Sequence, residues 1–217
     1  MTRITWNTVD VTPLRAVALA IVISFMAFAP LAAQDFDKGF DAYSAGDYQT
    51  ALREWRPLAD RGESDVQFNM GMMYYSGRGV PQDYAEAEKW YRLAADQGYA
   101  KAQYNLGLMY NQAQGVPQDY VEVVKWWRLA ADQGYAKAQY NLGVMYNRGQ
   151  GVPQDYAEAV KWYRLAADQG YAKAQSNLGT MYEAGFGVLQ DNVMAHMWYN
   201  IGSAKGQEIG GTNRDKI

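Results

Sequence analysis

The sequence holds few residues that could do chemistry. Its 217 residues include one histidine, His196, and no cysteine, so a metal site built from histidine and cysteine cannot be assembled. A general base needs a placed partner, and none is identifiable for His196. No nucleophile motif or phosphate-binding loop occurs, and elements of the type Gly-x-Gly-Val, such as 149–152, are typical of turns between helices. We therefore predict a protein that is not an enzyme and uses no cofactor.

Acidic and aromatic residues recur every 36 positions, which favours a structural role for them. Asp119 followed by Glu122 has the spacing of a capping box, in which side chains satisfy free backbone N–H groups at the start of a helix. The tryptophans at this interval are Trp90, Trp126, Trp162 and Trp198. Segments 100–135 and 136–171 differ at only six positions. Such a period is the signature of a stacked array.

Each repeat predicts two helices. Ala102, Leu106 and Tyr110 share one face of a first helix, and the Gly and Pro residues of 115–118 end it. A second apolar stripe follows and stops before Gly134. Because two short helices cannot bury their own Trp, Leu and Tyr side chains, each hairpin must stack on the next. The predicted fold class is an all-α solenoid of helix-turn-helix repeats.

The frame Ala-x-x-x-Leu-Gly-x-x-Tyr, then Gly-Val-x-x-Asp, then Trp and Ala-Ala-x-x-Gly, resembles the Sel1-like repeat, a relative of the tetratricopeptide repeat. It consists here of Ala102, Leu106, Gly107, Tyr110, Gly115, Val116, Asp119, Trp126, Ala130, Ala131 and Gly134. The resemblance implies a right-handed α-solenoid whose concave wall comes from the first helices. It also implies an adaptor or regulator that holds other proteins.

The resemblance divides residues 63–207 into four Sel1-like repeats, at 63–99, 100–135, 136–171 and 172–207. Residues 34–62 look like a shorter N-terminal hairpin of tetratricopeptide type. Residues 208–217 are predicted to be a C-terminal tail or the start of a missing capping helix.

The repeat geometry predicts a row of residues along the concave groove, where they would contact a protein or peptide. They are Phe68, Met72, Tyr75, Lys101, Tyr104, Leu108, Asn111, Lys137, Tyr140, Val144, Asn147 and Lys173. The alternative, that the aromatic members pack between adjacent first helices, stays open at this point.

Residues 1–33 have the order of a secretory signal peptide. Arg3 and Arg15 precede the apolar stretch 16–29, and Pro30 and small residues follow it. We expect cleavage after Ala33 and no permanent membrane anchor once it has occurred; the alternative is an uncleaved signal anchor. The protein is then exported, periplasmic or secreted in a Gram-negative-type bacterium. A net charge of −3 without a Lys/Arg run argues against nucleic acid as a partner.

The leading hypothesis is therefore a non-catalytic, exported scaffold that binds a protein or peptide, with a possible regulatory role. One alternative is a cell-wall-active or β-lactam-binding or β-lactam-hydrolysing protein, because some exported Sel1-repeat relatives were linked to such activity. Another is a structural envelope-assembly protein that self-associates through its C-terminal end.

Overall fold

The computed structural model describes residues 32–214, and side chains between residues 36 and 203. Within that range the chain forms ten helices and no strand. They are α1 (Ala32–Ser44), α2 (Tyr48–Asp60), α3 (Ser64–Ser76), α4 (Tyr84–Asp96), α5 (Ala100–Gln112), α6 (Tyr120–Asp132), α7 (Ala136–Arg148), α8 (Tyr156–Asp168), α9 (Ala172–Ala184) and α10 (Asn192–Arg214). Consecutive helices pack against each other in chain order, so five hairpins stack into the predicted α-solenoid.

The segment predicted to be a signal peptide, apart from Ala32 and Ala33, lies outside the described residues. None of the helices between residues 32 and 214 is long and apolar enough to cross a bilayer. At the other end, α10 continues through residues 208–214, and the last three residues of the chain lie outside the described range.

The second helix of every hairpin begins at an aspartate that caps it, as predicted. The Asp119 carboxylate accepts a hydrogen bond from the backbone N–H of Glu122 at 3.2 Å. Equivalent bonds start α2, α4, α8 and α10. The Glu122 carboxylate does not complete a capping box but accepts hydrogen bonds from the Lys125 ammonium and the Trp126 indole, both at 2.9 Å.

Each hairpin is closed by an aromatic side chain that lies directly on a glycine. Trp127 of α6 covers Gly107 of α5, where an added Cβ would stand 2.4 Å from the indole ring. The Trp127 indole also donates a hydrogen bond to the Tyr104 carbonyl at 3.1 Å. The same glycine–aromatic pairs in the other hairpins are Gly39–Trp55, Gly71–Tyr91, Gly143–Tyr163 and Gly179–Tyr199. The two helices can therefore approach closely only because the glycine has no side chain.

Successive hairpins are joined by a chain of buried glutamine amides. The Gln103 amide donates a hydrogen bond to the Ala95 carbonyl of α4 at 3.1 Å, and its oxygen accepts one from the Gln133 amide at 2.8 Å. Gln67 and Gln139 repeat the whole pattern. Because a buried amide left without partners would cost about 1–3 kcal/mol, these bonds fix how one hairpin sits on the next.

The turns between the two helices of a hairpin pack against the preceding hairpin. Gly115 and Gly151 adopt positive φ angles of 72° and 71°. A Cβ on Gly115 would stand 2.5 Å from the Tyr84 carbonyl oxygen of the preceding hairpin. Glycine is required here both for the left-handed backbone and for the close approach.

Replacing Gly107 with Ala tests the closure of the hairpin. The added methyl group collides with the buried Trp127, so we expect the free energy of unfolding to fall by about 1–3 kcal/mol. Chemical denaturation followed by circular dichroism measures the change. Gly202→Ala is the matched control, because its nearest neighbouring atom is 3.2 Å away and Ala166 occupies the equivalent place. Equal stability of both variants would contradict the steric argument.

Candidate functional site

The predicted groove residues lie on the first helices of the Sel1-type hairpins. We call the surface formed by α3, α5, α7 and α9 the first-helix face. Its aromatic, aliphatic and asparagine members are partly buried, and Lys101, Lys137 and Lys173 are exposed. The face therefore has a largely apolar floor with lysines at the N-terminal ends of three of its helices.

The three aromatic residues Phe68, Tyr104 and Tyr140 bridge consecutive hairpins. The Tyr104 ring lies 6.2 Å from Trp127 in its own hairpin and 5.2 Å from Tyr135, the residue that precedes α7. Phe68 and Tyr140 repeat this arrangement. Packing between hairpins is thus one role of these rings, while their remaining exposed edges belong to the floor.

A cavity of about 260 Å³ opens on the first-helix face between α3 and α5. Three predicted groove residues meet there: Met72, Tyr75 and Leu108. The lining residues that sequence reasoning missed are Tyr43, Ser76, Arg78, Tyr91 and Asn105. The other nine predicted residues do not line this cavity. The recurrence of asparagine at 69, 105, 141 and 177 was the signal that could have identified Asn105.

Arg78 stands at the edge of the cavity beside the N-terminal hairpin. Its guanidinium donates a hydrogen bond to the Tyr43 hydroxyl at 2.6 Å and lies 5.8 Å from the centre of the Tyr48 ring. Tyr75, on the other side, donates a hydrogen bond to the Gln114 side chain at 2.7 Å. The cavity therefore has an aromatic wall, an aliphatic floor and one charged group.

Lysine side chains on the first and second helices of the Sel1-type hairpins differ in their pairing, whereas Arg128 and Arg164 of the second helices donate hydrogen bonds to tyrosine hydroxyls. On the second helices, Lys89, Lys125 and Lys161 bind Glu86, Glu122 and Glu158 at 2.8, 2.9 and 3.1 Å. Lys101, Lys137 and Lys173, by contrast, have no carboxylate within 4.0 Å in the part of the chain whose side chains are described, and neither do Arg78 and Arg148. The positive charge of the first-helix face is thus not neutralised by the described protein.

Burial changes the titration of several tyrosines in the stack. It raises the pKa of the Tyr91 hydroxyl, which lines the cavity, and it raises the pKa of Tyr163 in the third repeat to about 12. Burial likewise raises the pKa of Tyr104. The Tyr91 hydroxyl is therefore neutral over the ordinary pH range.

Among residues 36–203, whose side chains are described, no three or more His, Cys, Asp or Glu residues form a group suited to a metal ion. His196 is exposed on α10. The described residues thus add no metal centre to the site.

Stacked hairpins of this length, with a glycine and an aromatic residue at fixed places, define an α-solenoid of the tetratricopeptide-like class. The Sel1 repeat family model matches residues 64–99, 100–135, 136–171 and 172–207, so the chain belongs to the Sel1 repeat family. No curated protein matches this chain.

Solved structures of Sel1 repeat proteins resemble this one. A Sel1 repeat protein from Oxalobacter formigenes is 37% identical, with a TM-score of 0.76 over 79% of this chain and 70% of that chain. The protective antigen c5321 of uropathogenic Escherichia coli, which has an SLR fold, is 45% identical, with a TM-score of 0.70 over 71% of this chain. The match covers only 33% of that antigen. A Sel1 repeat protein from Klebsiella pneumoniae, 21% identical, shows the fold alone, with a TM-score of 0.52 over 84% of this chain and 90% of that chain.

The raised pKa of Tyr163 predicts a loss of stability in alkali. An unfolded tyrosine ionises near pH 10, whereas folded Tyr163 keeps its proton until about pH 12, so stability falls as pH rises from 10 to 12. Two pKa units correspond to roughly 2–3 kcal/mol. Urea unfolding between pH 8 and 12 should show a shallower decline for Tyr163→Phe, which removes a buried hydroxyl without a hydrogen-bond partner among the described residues. Identical slopes for both proteins would rule this out.

Proposed function

We propose that this protein is a non-catalytic, exported scaffold that holds a protein or peptide segment against the first-helix face. Sel1 repeat proteins generally bind proteins and generally lack catalytic activity. The observation that carries the proposal is the cavity between Met72, Tyr75 and Leu108. It lies on the face that the family resemblance makes the concave wall of the solenoid.

The size of the cavity favours a peptide side chain over a free small molecule. Pockets for small molecules usually enclose roughly 300–1,000 Å³, and this cavity measures about 260 Å³. Protein interfaces typically gain most of their affinity from one or two apolar side chains that fill such a pocket. The aromatic floor beyond it, at Tyr104 and Tyr140, extends the available surface along the stack.

The enzymatic alternative rests only on what some relatives were linked to. The described residues contain no feature that favours β-lactam binding or hydrolysis over protein binding. Export and any regulatory role likewise remain part of the proposal, supported by the order of residues in 1–33 and by the resemblance.

A second candidate function, self-association, is favoured by the outer surface of α10. Val193, Met197 and Ile201 are 79%, 39% and 38% exposed and follow one another at intervals of four residues along α10. Residues 192–203 contain no Asp, Glu, Lys or Arg, whereas α8 carries four charged residues. An uncharged apolar helix surface suits a second copy of itself, related by a two-fold axis, because it needs no oppositely charged partner.

Site-specific crosslinking in the source cell tests the scaffold function. A photoreactive amino acid placed at Leu108 should form an adduct with one discrete protein, because that position lines the cavity. The same group at Leu129, which is exposed on the second helix α6, is the matched control and should form none. Adducts from position 129 alone, or from neither position, would contradict the proposal.

Self-association is tested by giving α10 the residues that α8 has at two equivalent positions. Val193→Ala with Met197→Lys places at these positions the residues found at Ala157 and Lys161. We expect light scattering to show dimers of the original protein at high concentration and monomers of the variant. A protein that stays monomeric at every concentration, or a variant that dimerises equally well, would refute this candidate.

A further inference from the structure

We infer that the segment bound by the first-helix face is an acidic peptide: an extended chain with one apolar side chain in the cavity and carboxylates on either side of it. This inference rests on the proposed function and specifies the chemistry of its partner. It is carried by the distribution of unpaired positive charge around an apolar floor.

Basic residues border the first-helix face along both margins. Lys101, Lys137 and Lys173 are each the second residue of their helix, whereas Arg78 follows α3 and Arg148 ends α7. A 13-residue helix rises about 1.5 Å per residue, so the two margins lie roughly 16 Å apart. The apolar floor occupies the space between them.

The described chain provides no oppositely charged partner for these five basic residues. The described side chains place no carboxylate within 4.0 Å of the five basic residues. Among the helices of this face, α5 and α7 contain no aspartate or glutamate, and α3 and α9 contain one acidic residue each, Asp65 and Glu183. The second helices instead pair their lysines with neighbouring glutamates. Because the whole chain has a net charge of −3, the positive first-helix face reflects segregation of charge and not a general excess of it.

Local helix electrostatics strengthen the preference for carboxylates. Each lysine of this margin lies in the first turn of a helix, where the helix dipole disfavours positive charge and favours negative charge. The preceding residues Tyr99, Tyr135 and Tyr171 supply no capping hydrogen bond from their side chains. A carboxylate placed here would meet both an ammonium group and the positive end of the dipole.

The spacing of the helices matches an extended peptide that crosses them. Neighbouring first helices are in contact through side chains, since the Asn141 amide donates to the Tyr104 hydroxyl at 3.4 Å. Packed helices lie about 10 Å apart, and three residues of extended chain also span about 10 Å. In a polyproline II chain, which advances about 9 Å in three residues, every third side chain returns to the same side, so acidic residues at that spacing can reach successive lysines.

The cavity provides the apolar anchor at one end of this path. Met72 and Leu108 accept the side chain, and Asn105 contributes a side-chain amide to the lining. One nitrogen of the Arg78 guanidinium donates a hydrogen bond to the Tyr43 hydroxyl. The other N–H donors of the guanidinium can reach a carboxylate next to the anchor residue. Nucleic acid, the other polyanion to consider, is disfavoured by the acidic net charge of the chain.

Selection from random nine-residue peptides displayed on phage tests the inference on the full chain. We expect the selected peptides to combine one Phe, Leu or Met with two or more Asp or Glu. A fluorescein-labelled selected peptide should bind roughly tenfold more weakly to the variant Lys101→Glu/Lys137→Glu. Lys89→Glu/Lys125→Glu changes the net charge equally on the second helices and should leave affinity unchanged. Circular dichroism verifies that both variants fold, and Leu108→Ser should weaken binding in either background.

The possible outcomes separate this inference from the function on which it rests. Selected peptides without acidic residues that still lose affinity with Leu108→Ser would overturn the acidic partner but retain the groove. Peptides whose affinity does not change with Leu108→Ser, or the recovery of no peptide, would overturn both the acidic partner and the groove. Displacement of the selected peptide by a short single-stranded DNA at lower concentration than by the unlabelled peptide would overturn the choice of a peptide partner.

Discussion

The contact on which the whole stack depends is the aromatic ring of a second helix lying on a glycine of the first. With Trp127 against Gly107, the helices approach so closely that one added methyl group would enter the ring. That proximity brings Tyr104 to the junction with the next hairpin, where it meets Tyr135. The contact that closes a hairpin therefore also positions the contact with the next hairpin. The surface presented by the first helices depends on both contacts.

The first and second helices of the Sel1-type hairpins differ in how their lysines are paired. Second helices of the first three Sel1-type hairpins place glutamates beside lysines. First helices contribute their small and aromatic residues to packing, and their lysines Lys101, Lys137 and Lys173 have no carboxylate within 4.0 Å among the described side chains. Substitutions at positions such as Lys101 or Leu108 can therefore change the first-helix face without disturbing the aspartates and glycines that define the fold.

The fold was predictable because the capping aspartate, the glycine and the aromatic residue recur at the same places in each 36-residue repeat. Only one architecture accommodates all three. The repeat register also predicted that Met72, Tyr75 and Leu108 share one face, and they do meet in one cavity, while a binding role for them stays a prediction. Tyr43 and Arg78 were not predicted as lining residues, because Arg78 reaches the cavity with its hydrogen-bond partner Tyr43 of the N-terminal hairpin, which does not share the register of the Sel1 repeats. The buried glutamines were missed for another reason: an amide within a helix resembles a surface residue until its partners in neighbouring hairpins are known.

The chain of glutamine amides has a consequence for how such a molecule changes length. At each junction a glutamine amide of one hairpin donates to an alanine carbonyl of the preceding hairpin, so a hairpin can be copied in place and both new junctions are satisfied at once. An insertion that is not a whole number of hairpins would leave amides buried without partners. The near-identity of segments 100–135 and 136–171 is the pattern that such a copying step leaves behind, and it makes the number of repeats, and with it the length of the first-helix face, an easily inherited variable.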